Sequence, residues 1–111
     1  MKRTPSRRST RLADQIAREM AIALAEDAKD PRLELVTISG VALNADMSIA
    51  RIYYTLSGDA ERLAAVAKGL EQAKGFLRTL LGQRLRMKFV PELRFARDTY
   101  LEDMVYDHPE G

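Results

Sequence analysis

LEQAKGFLRTLLGQRLRMKFVP, residues 70–91, is the stretch around which the rest of the chain arranges itself. Apolar residues recur at Leu63, Val66, Ala67 and Leu70 ahead of Gly75, and at Phe76, Leu77, Leu80, Leu81 and Leu85 after it. Each half therefore carries a core-facing stripe at helical spacing. A glycine inside a helical pattern costs about 1 kcal/mol relative to alanine. The spacing predicts two amphipathic helices that meet at Ala73-Lys74-Gly75, where the chain bends or another backbone comes close. Lys74 and Arg78 share a face, and Arg84, Arg86 and Lys88 follow at the far end. Bare backbone beside positive charge suits a phosphate chain, because no side chain blocks the approach and a second helix would open with unpaired N–H groups. Read as structure only, the same residues are a helix-to-helix turn with a solvated cationic face.

Downstream, Phe89 to Arg97 switches to period two, with Phe89, Leu93 and Phe95 facing one way and Glu92, Arg94 and Ala96 the other. Pro91 confines this segment to a strand start or a sheet edge. Gly82 has no evident role in the pattern. After Asp98 the periodicity fades, so residues 99–111 are expected to form a short, acidic, mobile tail behind a domain spanning 1–98. Upstream, Ser57-Gly58-Asp59 breaks a strand and can cap the helix that follows. Met47 to Leu56 alternates, with Ala50, Ile52, Tyr54 and Leu56 on one face. Leu33 to Leu43 supplies another strand, and the change of phase between Val36 and Ile38 and then Val41 and Leu43 predicts a bulge at Ser39-Gly40. Asn44-Ala45-Asp46 joins the two as an antiparallel hairpin. Tyr53 and Tyr54 could stack bases, but neighbours in a strand face opposite ways, one to the core and one to the surface, and neither is assigned to a site.

At the start, Thr4-Pro5 reads as a helix opening, Leu12, Ile16, Met20, Ala23 and Leu24 as its stripe, and Lys29-Asp30-Pro31 as its stop. Arg7, Arg8 and Arg11 fall in the first turns, where the helix dipole disfavours each cation by about 0.3 kcal/mol or more. They do not serve helix stability, and a phosphate-contacting arm explains them slightly better than a frayed, solvated terminus does.

At 111 residues, 46% apolar and 31% charged, the chain fits one globular domain with a single core. It has neither an apolar run of about 18 residues nor a signal-peptide pattern, so a cytoplasmic protein without a membrane span is expected. Cysteine is absent, which excludes disulfides, thiolate metal sites and a cysteine nucleophile, and the lone histidine is His108. There is no P-loop, HExxH or GxSxG pattern. Asp30, Asp46 and Asp98 could in principle meet, yet each is explained as a turn or cap residue, so no catalysis, metal or cofactor is expected. The net charge of +2 hides a segregation. Lys2, Arg3, Arg7, Arg8 and Arg11 stand in the first eleven residues without an acid, eight bases face two acids between Lys68 and Arg97, and the last fourteen residues hold five acids and no base. Such a distribution points to an anionic partner.

The order helix, strand, strand, helix, helix, strand makes a small α+β domain with helices on one side of a three-stranded sheet, and the long link before the last strand permits parallel pairing. That order resembles the bacterial ribosome-binding factor A family. The residues that carry the resemblance are Arg11-Leu12-Ala13-Asp14-Gln15-Ile16, Asp30-Pro31-Arg32, Asp46, Ala73-Lys74-Gly75-Phe76-Leu77-Arg78, Val90-Pro91-Glu92-Leu93-Arg94-Phe95 and Asp98. It implies a single type II KH-like domain, order α-β-β-α-α-β, in which an interhelical Ala-x-Gly kink, here Ala73, Lys74 and Gly75, replaces the GXXG loop with which ordinary KH domains clamp RNA. It also implies a non-catalytic, monomeric ribosome assembly factor that binds the free or immature 30S small subunit and 16S rRNA. Such a factor supports late maturation, including 5′-end processing of 16S rRNA, leaves before translation begins, and in some members matters for cold adaptation. On that reading Arg7, Arg8, Arg11, Lys74, Gly75, Arg78, Arg84, Arg86 and Lys88 are the RNA-binding residues. Compared with longer members, the tail after Asp98 lacks an apolar stripe. The alternative is a small protein-interaction module, homodimeric through an exposed edge of the last strand and indifferent to RNA.

Overall fold

A computed structural model of the chain describes residues 6–100. Ser6 opens the first helix: its backbone is extended (φ −71°, ψ 159°) and its hydroxyl accepts the Ser9 N–H at 3.0 Å, satisfying one of the helix's unpaired donors. The expected opening at Thr4-Pro5 lies outside the described residues, and the cap is Ser6. Helix α1 runs Arg7–Ile22 and closes in a π-helical turn, Ala23–Asp27. Its predicted stripe holds, with Ile16, Met20, Ala23 and Leu24 buried and Leu12 packed against the core.

A single 3₁₀ turn, Pro31–Leu33, follows, then β1 (Thr37–Leu43), β2 (Ile49–Thr55), α2 (Ala60–Arg84) and β3 (Glu92–Arg97). The first strand starts later than the apolar run suggested. The Asp30 carboxylate accepts the Arg32 N–H at 2.9 Å and winds Pro31–Leu33 into a turn that buries Leu33, and Leu35 then takes a left-handed φ of 67°. Strands β1 and β2 pair antiparallel, with the register slip between Ile38 and Gly40 that the sequence predicted. Strand β3 runs parallel to β2, Ile49 beside Glu92 and Ile52 beside Phe95, so the sheet order is β1-β2-β3. The inner face presents Ala50, Ile52, Tyr54 and Leu93 to the buried sides of both helices. Tyr53, of opposite phase, looks outward. Phe89 does not join β3 as expected; it precedes the strand and is 82% exposed.

One helix, α2, stands where two were expected, giving the order α-β-β-α-β. The magnitudes explain why. Val66, Leu70, Leu77 and Leu81 are all buried, and with half-buried Ala73 they form one track that crosses Gly75 without a change of phase. Each fully buried leucine contributes roughly 2 kcal/mol, so packing on both sides of Gly75 outweighs the roughly 1 kcal/mol that one glycine costs a helix. Asp59 caps the helix by accepting the Arg62 N–H at 2.9 Å. At the other end, Leu85 and Met87 donate back to Leu81 and Gly82 (2.9 and 3.0 Å) while Arg86 turns left-handed at φ 52°, which is a Schellman ending with arginine where glycine is usual.

Candidate nucleic-acid interface

The cations singled out by the sequence divide into those tied up within the fold and those left to solvent. Arg78 is tied up: its Nε donates to the Pro91 carbonyl at 3.1 Å and its Nη2 to the Val90 carbonyl at 2.8 Å, fastening the segment ahead of β3 onto α2. Arg84 is tied up too, with Nη2 2.8 Å from Asp27 Oδ2 and Nη1 3.8 Å from Glu19 Oε1, which brings the end of α2 to the end of α1. Asp27 Oδ2 is buried and receives no directed hydrogen bond, so the Arg84 charge is its compensation. Lys74 pairs with Glu71 at 2.8 Å and is half-buried. Arg78 and Arg84 thus hold segments of the fold together, whereas the Lys74 pair is an i,i+3 contact within α2 with an exposed glutamate.

Around Gly75 the surface is open. The residue is exposed, and a methyl group added there would touch nothing within 4 Å. The neighbouring groove, about 420 Å³, is lined by Ala73 and Phe76 from α2 and by Asp27, Ala28, Lys29, Asp30 and Leu33 opposite. Because α2 is unbroken, the unpaired N–H groups that a second helix would have offered beside Gly75 are spent inside the helix. What remains is bare backbone with an apolar cleft alongside. The Thr79 hydroxyl donates to the Gly75 carbonyl at 3.1 Å, a back-bond that often bends helices.

The cations that stay exposed lie elsewhere. Arg86 and Lys88 project from the loop between α2 and β3, and Lys88 Nζ sits 5.7 Å from the centre of the Phe89 ring. Arg7, Arg8 and Arg11 are exposed on the first turns of α1, and the shallow surface formed by Arg7, Thr10, Arg11 and Gln15 also includes Arg18 and one acid, Asp14. Phe89 and Arg18 are additions to the predicted set. The period-two pattern hid Phe89 by suggesting a strand, whereas the spacing of Arg7, Arg11 and Arg18 along one helix face was readable.

The carboxylates considered for chemistry have local duties. Asp30 pairs with Arg32 at 2.6 Å, and that guanidinium holds its carboxyl below the usual range; Arg32 in turn donates to Gln72 Oε1 at 2.7 Å, tying the 3₁₀ turn to α2. Asp46 accepts the Ser48 hydroxyl and N–H in the hairpin turn, and these bonds lower its carboxyl as well. Asp98 accepts the Ser39 hydroxyl at 2.8 Å, at the opposite end of the sheet from Asp46. Glu92 is held down by its bond with Arg94. Among the described residues, no three acidic or histidine side chains gather as a metal site, and no helix is long and apolar enough to cross a membrane.

The family model of ribosome-binding factor A matches residues 8–106. The chain belongs to the ribosome-binding factor A family. A ribosome-binding factor A from Nitrosomonas europaea is 40% identical over 95 residues, covering 86% of this chain and 81% of the relative. One from Chromohalobacter salexigens is 44% identical over 94 residues, covering 83% and 72%. Among solved structures, the crystal structure of ribosome-binding factor A from Thermus thermophilus superposes with a TM-score of 0.72 at 29% identity, covering 80% of this chain and 93% of that one. A homology model of the Thermus thermophilus factor, fitted into a cryo-EM map of a 30S complex, gives 0.64 at 30% identity, with coverage of 79% and 92%. In this member of the family, the Ala73-Lys74-Gly75 stretch lies inside a continuous helix. The Asp30-Pro31-Arg32 stretch that carried part of the resemblance is a brace between turn and helix.

Proposed function

We propose that this chain is a non-catalytic assembly factor that binds the small ribosomal subunit and contacts 16S rRNA. It acts as a monomer in the cytoplasm and supports late maturation of the subunit, including processing of the 5′ end of its RNA. The observation that carries the reading is its likeness, over most of its length, to a factor fitted into a map of a 30S complex. The free cations support it: Arg86 and Lys88 on one loop and Arg7, Arg8, Arg11 and Arg18 on α1 are exposed and suit a phosphate backbone. The bare helix surface at Gly75 is the place where RNA backbone approaches in lieu of a GXXG loop, bending α2 at the Thr79 back-bond as it does so. No observation favours the homodimeric module.

Co-sedimentation with purified small subunits tests this. The chain alone should sediment as a monomer and should shift with subunits. Arg86→Glu combined with Lys88→Glu should abolish the shift at moderate salt and leave the helical circular dichroism unchanged. Gly75→Leu should fold and yet bind more weakly. A chain that stays at the top of the gradient with subunits present would defeat the reading.

A further inference from the structure

Phe89 is a large apolar side chain left 82% exposed, and the structure holds it there with several contacts. The loop that bears it is fastened at both roots. On the helix side, Met87 donates to the Gly82 carbonyl at 3.0 Å and completes the α2 cap. On the strand side, Arg78 grips the carbonyls of Val90 and Pro91, Pro91 is buried, and Val90 packs on Gly82 so closely that a methyl group there would lie 3.0 Å from Val90 Cγ2. Gly82, which had no role in the sequence pattern, is the floor of this joint. Within the helix-side root, Arg86 sits in a left-handed conformation that costs a non-glycine residue roughly 1 kcal/mol. Lys88 lies over one region of the Phe89 ring while the rest faces solvent.

Building on the rRNA-binding reading, we propose that Phe89 is a pre-set stacking prong for an unpaired RNA base, with Arg86 and Lys88 neutralising the phosphates on either side and Arg78 as the positioning residue that keeps the prong erect. An aromatic face is a base-stacking platform, and cations beside it meet the backbone of the same strand. The two exposed charges favour RNA over an apolar pocket on a protein, which would gain nothing from them. Rigid roots matter because a loop backbone that is already fixed on both sides of the ring loses little freedom on binding.

The chain contains no tryptophan, so Phe89→Trp introduces a sole indole reporter at the prong. The full-length protein is titrated with a fluorescein-labelled, unstructured 12-nucleotide RNA, with the same sequence as a duplex, and with purified small subunits. Phe89→Trp should bind single strand at least as tightly as the wild type, and its emission should be quenched by single strand and by subunits but little by duplex. Phe89→Ser should bind the single strand about tenfold more weakly, within the range that one stacked base carries. Lys88→Gln should reduce the log–log salt slope by about 0.7 while sparing the quench. In the Phe89→Trp background, Arg78→Lys should lower the indole's anisotropy and weaken the single strand, whereas a bystander arginine would leave anisotropy unchanged. Unaltered affinity in Phe89→Ser overturns the proposal. A blue-shifted, unquenched indole on the subunit does so too, since it places the ring in a protein pocket. Both results leave subunit binding standing. Loss of subunit binding by the wild type itself would instead remove the underlying function and the prong with it.

Discussion

Arg86 shows in a single residue how stability and binding are set against each other. It occupies the position after a helix where glycine avoids the left-handed penalty, and it offers a free charge there in exchange. Arg86→Gly should therefore raise the melting temperature by about 4 °C, the equivalent of roughly 1 kcal/mol in a domain of this size, and at the same time flatten the salt dependence of RNA binding. Thermal unfolding and a salt titration on the same preparation check both halves, and a drop in melting temperature would contradict the conformational reading. Arg84 is the opposite case. Arg84→Glu should cost the protein stability before it affects any ligand, because it leaves the buried Asp27 oxygen facing a like charge; urea unfolding would register this as a lower midpoint.

At the scale of elements, α2 decides how the chain is read. Gly75 suggested a boundary, but the repeat of Val66, Leu70, Ala73, Leu77 and Leu81 keeps a single phase through it, and that continuity was present in the residues all along. The apolar positions Phe76 and Leu80 blurred it, since both are apolar without being fully buried and so imitate the start of a second stripe. The hairpin and its bulge were legible because a two-residue period betrays any slip of register. The beginning of β1 and the exposure of Phe89 were not, as a capped turn and a pinned loop depend on distant partners, Arg32 with Gln72 and Arg78 with Val90, which no local period records. Gly75→Ala should stabilise the protein by about 1 kcal/mol, there being open space for the methyl group and a helix on both sides to benefit. Leu77→Ala, fully buried two residues further on, should cost roughly 2–5 kcal/mol in equilibrium unfolding. If the glycine substitution proves the more damaging of the two, α2 is not an uninterrupted rod.

For the whole molecule, charge was legible in amount and sign but not in availability. Of the cations grouped near residues 74–88, the fold spends Lys74, Arg78 and Arg84 on itself and leaves Arg86 and Lys88 to solvent. The carboxylates are engaged in the same way. Asp30, Asp46 and Glu92 are each held below the ordinary carboxyl range by a neighbouring donor, so the stability they lend is complete above about pH 5, where the unfolded chain's carboxyls are already ionised, and drains away as pH falls through the unfolded range towards their lower folded values. The urea midpoint should accordingly be level down to about pH 5 and decline below it, with a shallower decline in Asp30→Asn. A midpoint indifferent to acid would mean these pairs contribute nothing. The parallel seat of β3 beside β2 has a bearing on birth as well as on shape. A hairpin and its covering helix can form as soon as they are made, but the third strand has no place until the whole of α2 has been synthesised and laid across the sheet. The loop with Arg86, Lys88 and Phe89 gains its second root, the Arg78 grip on Val90 and Pro91, with that last docking, so a nascent chain presents this loop in its finished shape only once β3 is seated.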